Sequence, residues 1–166
     1  MPKISQKIDK LTNSIVNRLS GESFATNVIE LKKEELINLK RGWKFDWDKE
    51  FSSGTVYKLV NIHTPEVIQG LISLSDKKDH IFMNLIESAP HNFGINKVYD
   101  GVAGNLVAFA CQMSLLKGYD GIVVFEAKTK LIEHYKLTLK AESITKRRMY
   151  IDTKPALDLI EKYFNK

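Results

Sequence analysis

Three small residues, Gly101, Ala103 and Gly104, fall together where a long apolar segment begins. Side chains this small let backbone N–H groups come close to an anion, and the first turn of a helix adds unpaired donors and the positive end of its dipole. That chemistry suits a pyrophosphate. Small residues at a helix start also serve close packing, and both readings stand at this point. Neither G-x-G-x-x-G nor G-x-x-x-x-G-K-[ST] occurs in the chain. His63, His80 and His91 lie in different segments with no HxH or HxxxH spacing, so no metal is expected. Cys111 sits within the apolar segment, where a thiol is expected to be an inert core side chain. No G-x-S-x-G elbow supports a serine nucleophile.

The whole chain bounds what these residues can do. Its 166 residues make about one domain, and a single cysteine excludes an internal disulfide framework. The expected setting is reducing and cytoplasmic, with no leader and no membrane span. Twenty-five basic against 20 acidic residues give a net charge of +5, which suits phosphate-bearing ligands. The basic residues are scattered among acids, so nucleic acid is not the expected partner, although Lys146, Arg147 and Arg148 adjoin one another.

The elements that position the glycine cluster follow from periodicity. Ile4, Ile8, Leu11, Ile15 and Leu19 share one helical face, which predicts an amphipathic helix over residues 1–21 that docks on its own domain or on a second copy. Residues 22–166 form the single domain. A strand is predicted over 24–31, then a short helix. Trp43, Phe45 and Trp47 alternate with charges, which in an extended chain puts aromatics on one face, as pocket lining or as core edge. Strands are predicted over 55–63, 67–75 and 80–88, joined by gaps short enough for antiparallel hairpins. The apolar helix 101–117 is followed by a buried strand 121–127, a helix 131–139 and a long strand 143–152. Thr153 is expected to cap a closing helix with Leu157, Ile160, Tyr163 and Phe164 turned inward. The fold class is a mixed α/β sheet, with a parallel crossover through the buried helix.

The stretch from HIFMNLIES through VYDGVAGNL and its helix resembles the cofactor-binding core of the GCN5-related N-acetyltransferase (GNAT) superfamily. The signature there is Gln or Arg, two residues, Gly, one residue, Gly or Ala, then a leucine three further on. Gly101, Ala103 and Leu106 match, and Val98 stands in place of the Gln or Arg. Further on, GIVVFEA and LIEHY resemble the strand and helix that carry a tyrosine, here Tyr135; Lys128 stands where an asparagine is usual, and Leu139-Lys140-Ala141 replaces the usual glycine turn.

The resemblance implies an acyl-CoA-dependent N-acyltransferase, with acetyl-CoA as co-substrate and a small-molecule or peptide amine as acceptor. Tyr135 would then protonate the leaving thiolate, a role open to a phenol with pKa near 10; its neighbour His134 is the other candidate, but consecutive helix residues point about 100° apart, so only one of the two is expected to face the cleft. Glu87 is the expected base that frees the amine, with Glu126 and Asp120 as competitors and a structural ion pair as the other role. Backbone amides of Leu85, Ile86 and Glu87 would hold the pantetheine arm and thioester. Tyr99, Gly101, Val102, Ala103, Gly104 and Lys128 would surround the pyrophosphate. The alternative is a binding or interaction module that keeps the fold without the chemistry, suggested by Val98, Lys128 and Lys140.

Overall fold

The computed structural model of the chain describes residues 14–17, 19–20, 23–39, 42–92, 98–127 and 131–164. The strands are β1 (Ser14–Asn17), β2 (Ser23–Glu30), β3 (Thr55–Asn61), β4 (Gly70–Asp76), β5 (Ile81–Ser88), β6 (Tyr99–Asp100), β7 (Val123–Glu126), β8 (Glu142–Ser143) and β9 (Arg148–Ile151). Of these, β2, β3, β4, β5 and β7 fall where strands are predicted, whereas β1 and β6 are not predicted as strands. Among the described residues they make one sheet in the order β6-β1-β2-β3-β4-β5-β7-β9-β8. Neighbours run antiparallel except β5 and β7. The helices are α1 (Trp47–Ser53), α2 (Val102–Leu116), α3 (Ile132–Thr138) and α4 (Thr153–Phe164), with 3-10 turns at Lys33–Leu39 and Pro90–Asn92.

Helix α2 makes the parallel crossover from β5 to β7, and its composition explains its place. Leu106, Ala108, Ala110 and Cys111 are fully buried, and α2 lies between the sheet and α4. A helix apolar on nearly all sides needs cover on nearly all sides. The main core joins α2 and α4 to Leu59, Ile72, Ile81, Val123 and Met149 of the sheet. A smaller cluster on the other face packs Leu31, Leu39 and Trp47 against Val56 and Leu71.

Strand β5 carries an irregularity that opens the sheet. Ser73 pairs with Leu85 and Leu74 with Met83, so Asn84 has no residue opposite it and forms a bulge. Its side chain donates to Ser73 Oγ at 3.2 Å and Ser75 Oγ at 2.8 Å, which fastens the bulge to β4. Among the described residues, pairing with β7 covers Ile81, Phe82 and Met83 alone. Beyond the bulge the two parallel strands part.

Four expectations are corrected. Residues 14–17 are strand, so the first helix does not extend to Ile15, and Leu19 is fully exposed in a turn; the portion over 1–13 lies outside the described residues. Residues 43–46 are loop rather than strand, because Asp46 caps α1 by accepting from Lys49 N at 3.1 Å. The long strand 143–152 is instead the hairpin β8–β9, closed by Ile144 N donating to Arg148 O at 2.8 Å. Helix α4 includes Thr153, with Asp152 before it accepting from Thr153 N at 2.8 Å. Its inward face is Ala156, Leu159, Ile160 and Tyr163, while Leu157 turns outward.

Cys111 is buried as expected, and burial pushes its thiol up to about 12. An unfolded thiol ionises from about pH 8.5, so the native chain holds its proton where the unfolded chain loses it, and this contribution to stability is lost as pH rises beyond that value. A disulfide reagent at pH 8 should therefore leave the folded protein untouched and modify one thiol per chain after guanidinium unfolding. Stoichiometric reaction of the native protein would contradict the burial.

Candidate functional site

The gap where β5 leaves β7 opens into a cleft of about 320 Å³. Strand β5 supplies Met83, Ile86 and Ser88, whose side chains point toward α2 because the bulge resets the alternation of faces. The remaining wall comes from Asn92, Tyr99, Gly101 to Gly104 and Val107, from His134, Tyr135, Thr138 and Leu139 at α3, and from Leu159, Lys162 and Tyr163 on α4, so both His134 and Tyr135 border the cleft, against the expectation that only one would.

At one end lies the start of α2. Gly101 has φ +88°, a left-handed conformation that L side chains rarely adopt, and it offers no side-chain cap. The first turn of α2 contains no acidic residue, and Lys162 brings a cation to the same cleft. Peptide N–H groups, a helix dipole and an ammonium group therefore face one place, a setting suited to a phosphate. Asn105 lies one turn on, and its side chain donates to Gly101 O at 2.8 Å, so the turn is braced from inside.

Tyr135 stands on another wall. Its ring meets Phe125 edge-on at 5.3 Å and is half-buried, and desolvation raises its pKa above 10. The phenol stays protonated across the neutral range, as a proton donor must. Its backbone carbonyl accepts from Leu139 N at 3.0 Å and Ala141 N at 3.3 Å, which ends the helix. The turn is completed by Lys140 at φ +57°, the left-handed geometry for which glycine is favoured.

Glu87 is placed differently from the expectation. It faces the opposite side of the sheet, where it is 9% exposed and accepts from Lys44 N at 2.6 Å, Phe45 N at 3.4 Å and Trp47 Nε1 at 2.8 Å. Its oxygens hold the 44–47 loop against β5, so the carboxylate is committed as an anchor and does not line the cleft. Leu85 likewise points to the smaller core cluster, while Ile86 lines the cleft. Lys128 lies outside the described residues. Glu126 is paired with Arg148 at 3.1 Å on the other face. Among the described residues no group of three or more His, Cys, Asp or Glu is placed to hold a metal, and no helix is long and apolar enough to cross a membrane.

Sequence reasoning missed the contribution of α4. Leu159, Lys162 and Tyr163 follow an i, i+3, i+4 spacing that puts them on one face, but Lys162 reads as a solvated charge until the helix is docked. Docking also explains Gly104. A Cβ there would stand 2.0 Å from the Tyr163 hydroxyl and 2.4 Å from its ring, so this glycine makes room for α4.

No protein-family model matches the sequence, and no curated protein matches it. Solved structures do. The AtaTR complex bound with acetyl-CoA aligns with TM-score 0.54 at 12% identity, over 81% of this chain and 97% of that one. The AtaT–AtaR complex bound to DNA aligns with TM-score 0.55 at 15% identity, over 80% and 98%. The IAA acetyltransferase from Bacillus cereus aligns with TM-score 0.51 at 13% identity, over 76% and 99%. The chain has the GNAT fold, with α4 as an added closing helix.

Gly104→Ala should destabilise the domain by about 1–3 kcal/mol through overpacking. If Tyr163 is the cause, the double variant Gly104→Ala/Tyr163→Ala should lose less than the sum of the singles. Additive losses in urea titrations would remove Tyr163 as the reason for the glycine.

Proposed function

We propose that the protein is an acyl-CoA-dependent N-acyltransferase that transfers acetyl from acetyl-CoA to an amine by direct attack. The single observation that carries this reading is the continuity of one cleft from the uncapped start of α2, past the diverging edge of β5, to the hydroxyl-bearing wall at Tyr135. Structures of the same fold hold acetyl-CoA, and one is named an acetyltransferase.

The residues present fit such a co-substrate. N–H groups of residues 102–104 and Lys162 receive the pyrophosphate. Met83, Ile86, Val107 and Leu139 line the path of the pantetheine arm. Where β5 leaves β7, its edge presents peptide groups with no described strand opposite, suited to the amides and thioester carbonyl of that arm. The neutral amine attacks the carbonyl carbon, a C–N bond forms, and the C–S bond breaks. Tyr135 gives its phenolic proton to the departing sulfur and regains one from the nitrogen through solvent.

A second reading is a coenzyme A-binding module without turnover. It is favoured by Val98 at the position of a polar signature residue and by the commitment of Glu87 to the 44–47 loop. Coenzyme A should raise the melting temperature under either reading. Release of free thiol from acetyl-CoA with an amine belongs to the enzyme alone.

Tyr135→Phe removes the acid and keeps the ring packed on Phe125. It should lower kcat by about 10²–10⁴-fold while coenzyme A affinity barely moves. A variant that turns over at the wild-type rate with chemistry rate-limiting would assign thiolate protonation elsewhere. Absence of coenzyme A binding to the wild-type protein would reject both readings.

A further inference from the structure

Helix α2 buries two polar side chains, Asn105 and Ser114, among apolar neighbours, and neither has any exposed surface. A buried amide is costly unless it is hydrogen-bonded, and asparagine is a poorer helix former than leucine or alanine. Ser114 donates to Ile122 O at 2.8 Å and so fixes the turn that leads into β7. Asn105 acts at the other end of the helix, on the glycine turn.

The identity of its side-chain atoms follows from its partners. A peptide carbonyl only accepts, so the atom 2.8 Å from Gly101 O is the amide nitrogen. The other atom is then the oxygen, which faces the hydroxyl of buried Thr26 on β2 at 3.4 Å, a group able to donate. Gly101 O already accepts the ordinary helix bond from Asn105 N at 3.1 Å. The side-chain amide therefore satisfies no orphaned carbonyl. It adds a second donor to a carbonyl that has one, at a residue whose left-handed backbone carries no side chain to restrain it.

The effect lies on the far side of the same peptide. In a trans peptide the C=O and N–H point in opposite directions, so pinning Gly101 O into the helix aims Val102 N–H out of its start, at the cleft that both residues line. Donors on a carbonyl also polarise the N–H of its peptide and make it a stronger donor.

We propose that Asn105 is a positioning residue for the pyrophosphate: by holding the 101–102 peptide it aims and strengthens the Val102 N–H that receives the anion. The inference rests on the acyltransferase reading, which places coenzyme A in this cleft. Asn105 itself touches no reacting atom.

Pantetheine has the same arm as coenzyme A without the pyrophosphate, and the pair separates positioning from a merely structural role. Asn105→Leu fills a similar volume without the amide. It should weaken coenzyme A binding about tenfold and leave pantetheine binding unchanged, and Asn105→Ala should show the same split. In NMR of the ¹⁵N-labelled wild-type protein, coenzyme A should move the Asn105 side-chain amide proton downfield, because an anion on Val102 N–H makes Gly101 O a better acceptor. Pantetheine should not move it. Wild-type coenzyme A affinity in either folded variant, equal losses for the two ligands, or an Asn105 amide proton that coenzyme A leaves in place would each overturn the role. If neither variant folds, the wild-type NMR titration decides. All of these failures leave coenzyme A binding to the wild-type protein intact, whereas failure of the acyltransferase reading removes that binding itself.

Discussion

Everything about the cleft depends on one unpaired residue in β5. A parallel pair that continued in register past Met83 would satisfy its own peptide groups and leave no space between β5 and β7. The bulge at Asn84 prevents this by shifting β5 one residue against β4, and the two serine hydroxyls of β4 hold the extra residue in place. Bulges bend a strand and increase its local twist. Here the bend directs Ile86 and Ser88 toward the start of α2 and leaves an edge of backbone with no described strand opposite it. The core tolerates the gap because α2 and α4 seal its far side with Leu106, Val107 and Leu159.

The opposite face of β5 shows what keeps that bend rigid. Glu87 gathers two peptide N–H groups and an indole N–H from the 44–47 loop, and Trp43 meets Trp47 edge-on at 6.5 Å. A buried carboxylate with three donors is costly to disturb, since removing it leaves those donors without a partner. At the end of the same strand, Gln69 and Asn92 connect β4, the 3-10 turn and Tyr99. The strand is therefore clamped by polar groups on one side and by apolar packing on the other.

The middle strands of the sheet, the crossover helix and the glycine turn were legible in the sequence because each rests on local periodicity or on a short motif, and Tyr135 was legible through the family resemblance. What was not legible depended on contacts between distant segments. Glu87 could be read as a base or as a structural partner; the partners it has, Lys44, Phe45 and Trp47, come from a segment some forty residues away whose approach to β5 no local pattern reveals. Gly104 could serve ligand approach or close packing, and the neighbour that fills the space beside it, Tyr163, comes from a helix some sixty residues further on.

Helix α4 has a consequence for the order in which the protein is made. Chains emerge from the ribosome amino terminus first, and domains fold as units once their segments are out. The glycine turn and α2 are synthesised well before residues 153–164, yet one wall of the cleft and the packing against Gly104 come from that helix. A nascent chain that has formed the sheet through β7 still exposes the apolar outer face of α2. The binding cleft is thus among the last parts of the domain to be completed, and until α4 docks that exposed face is a natural target for a chaperone.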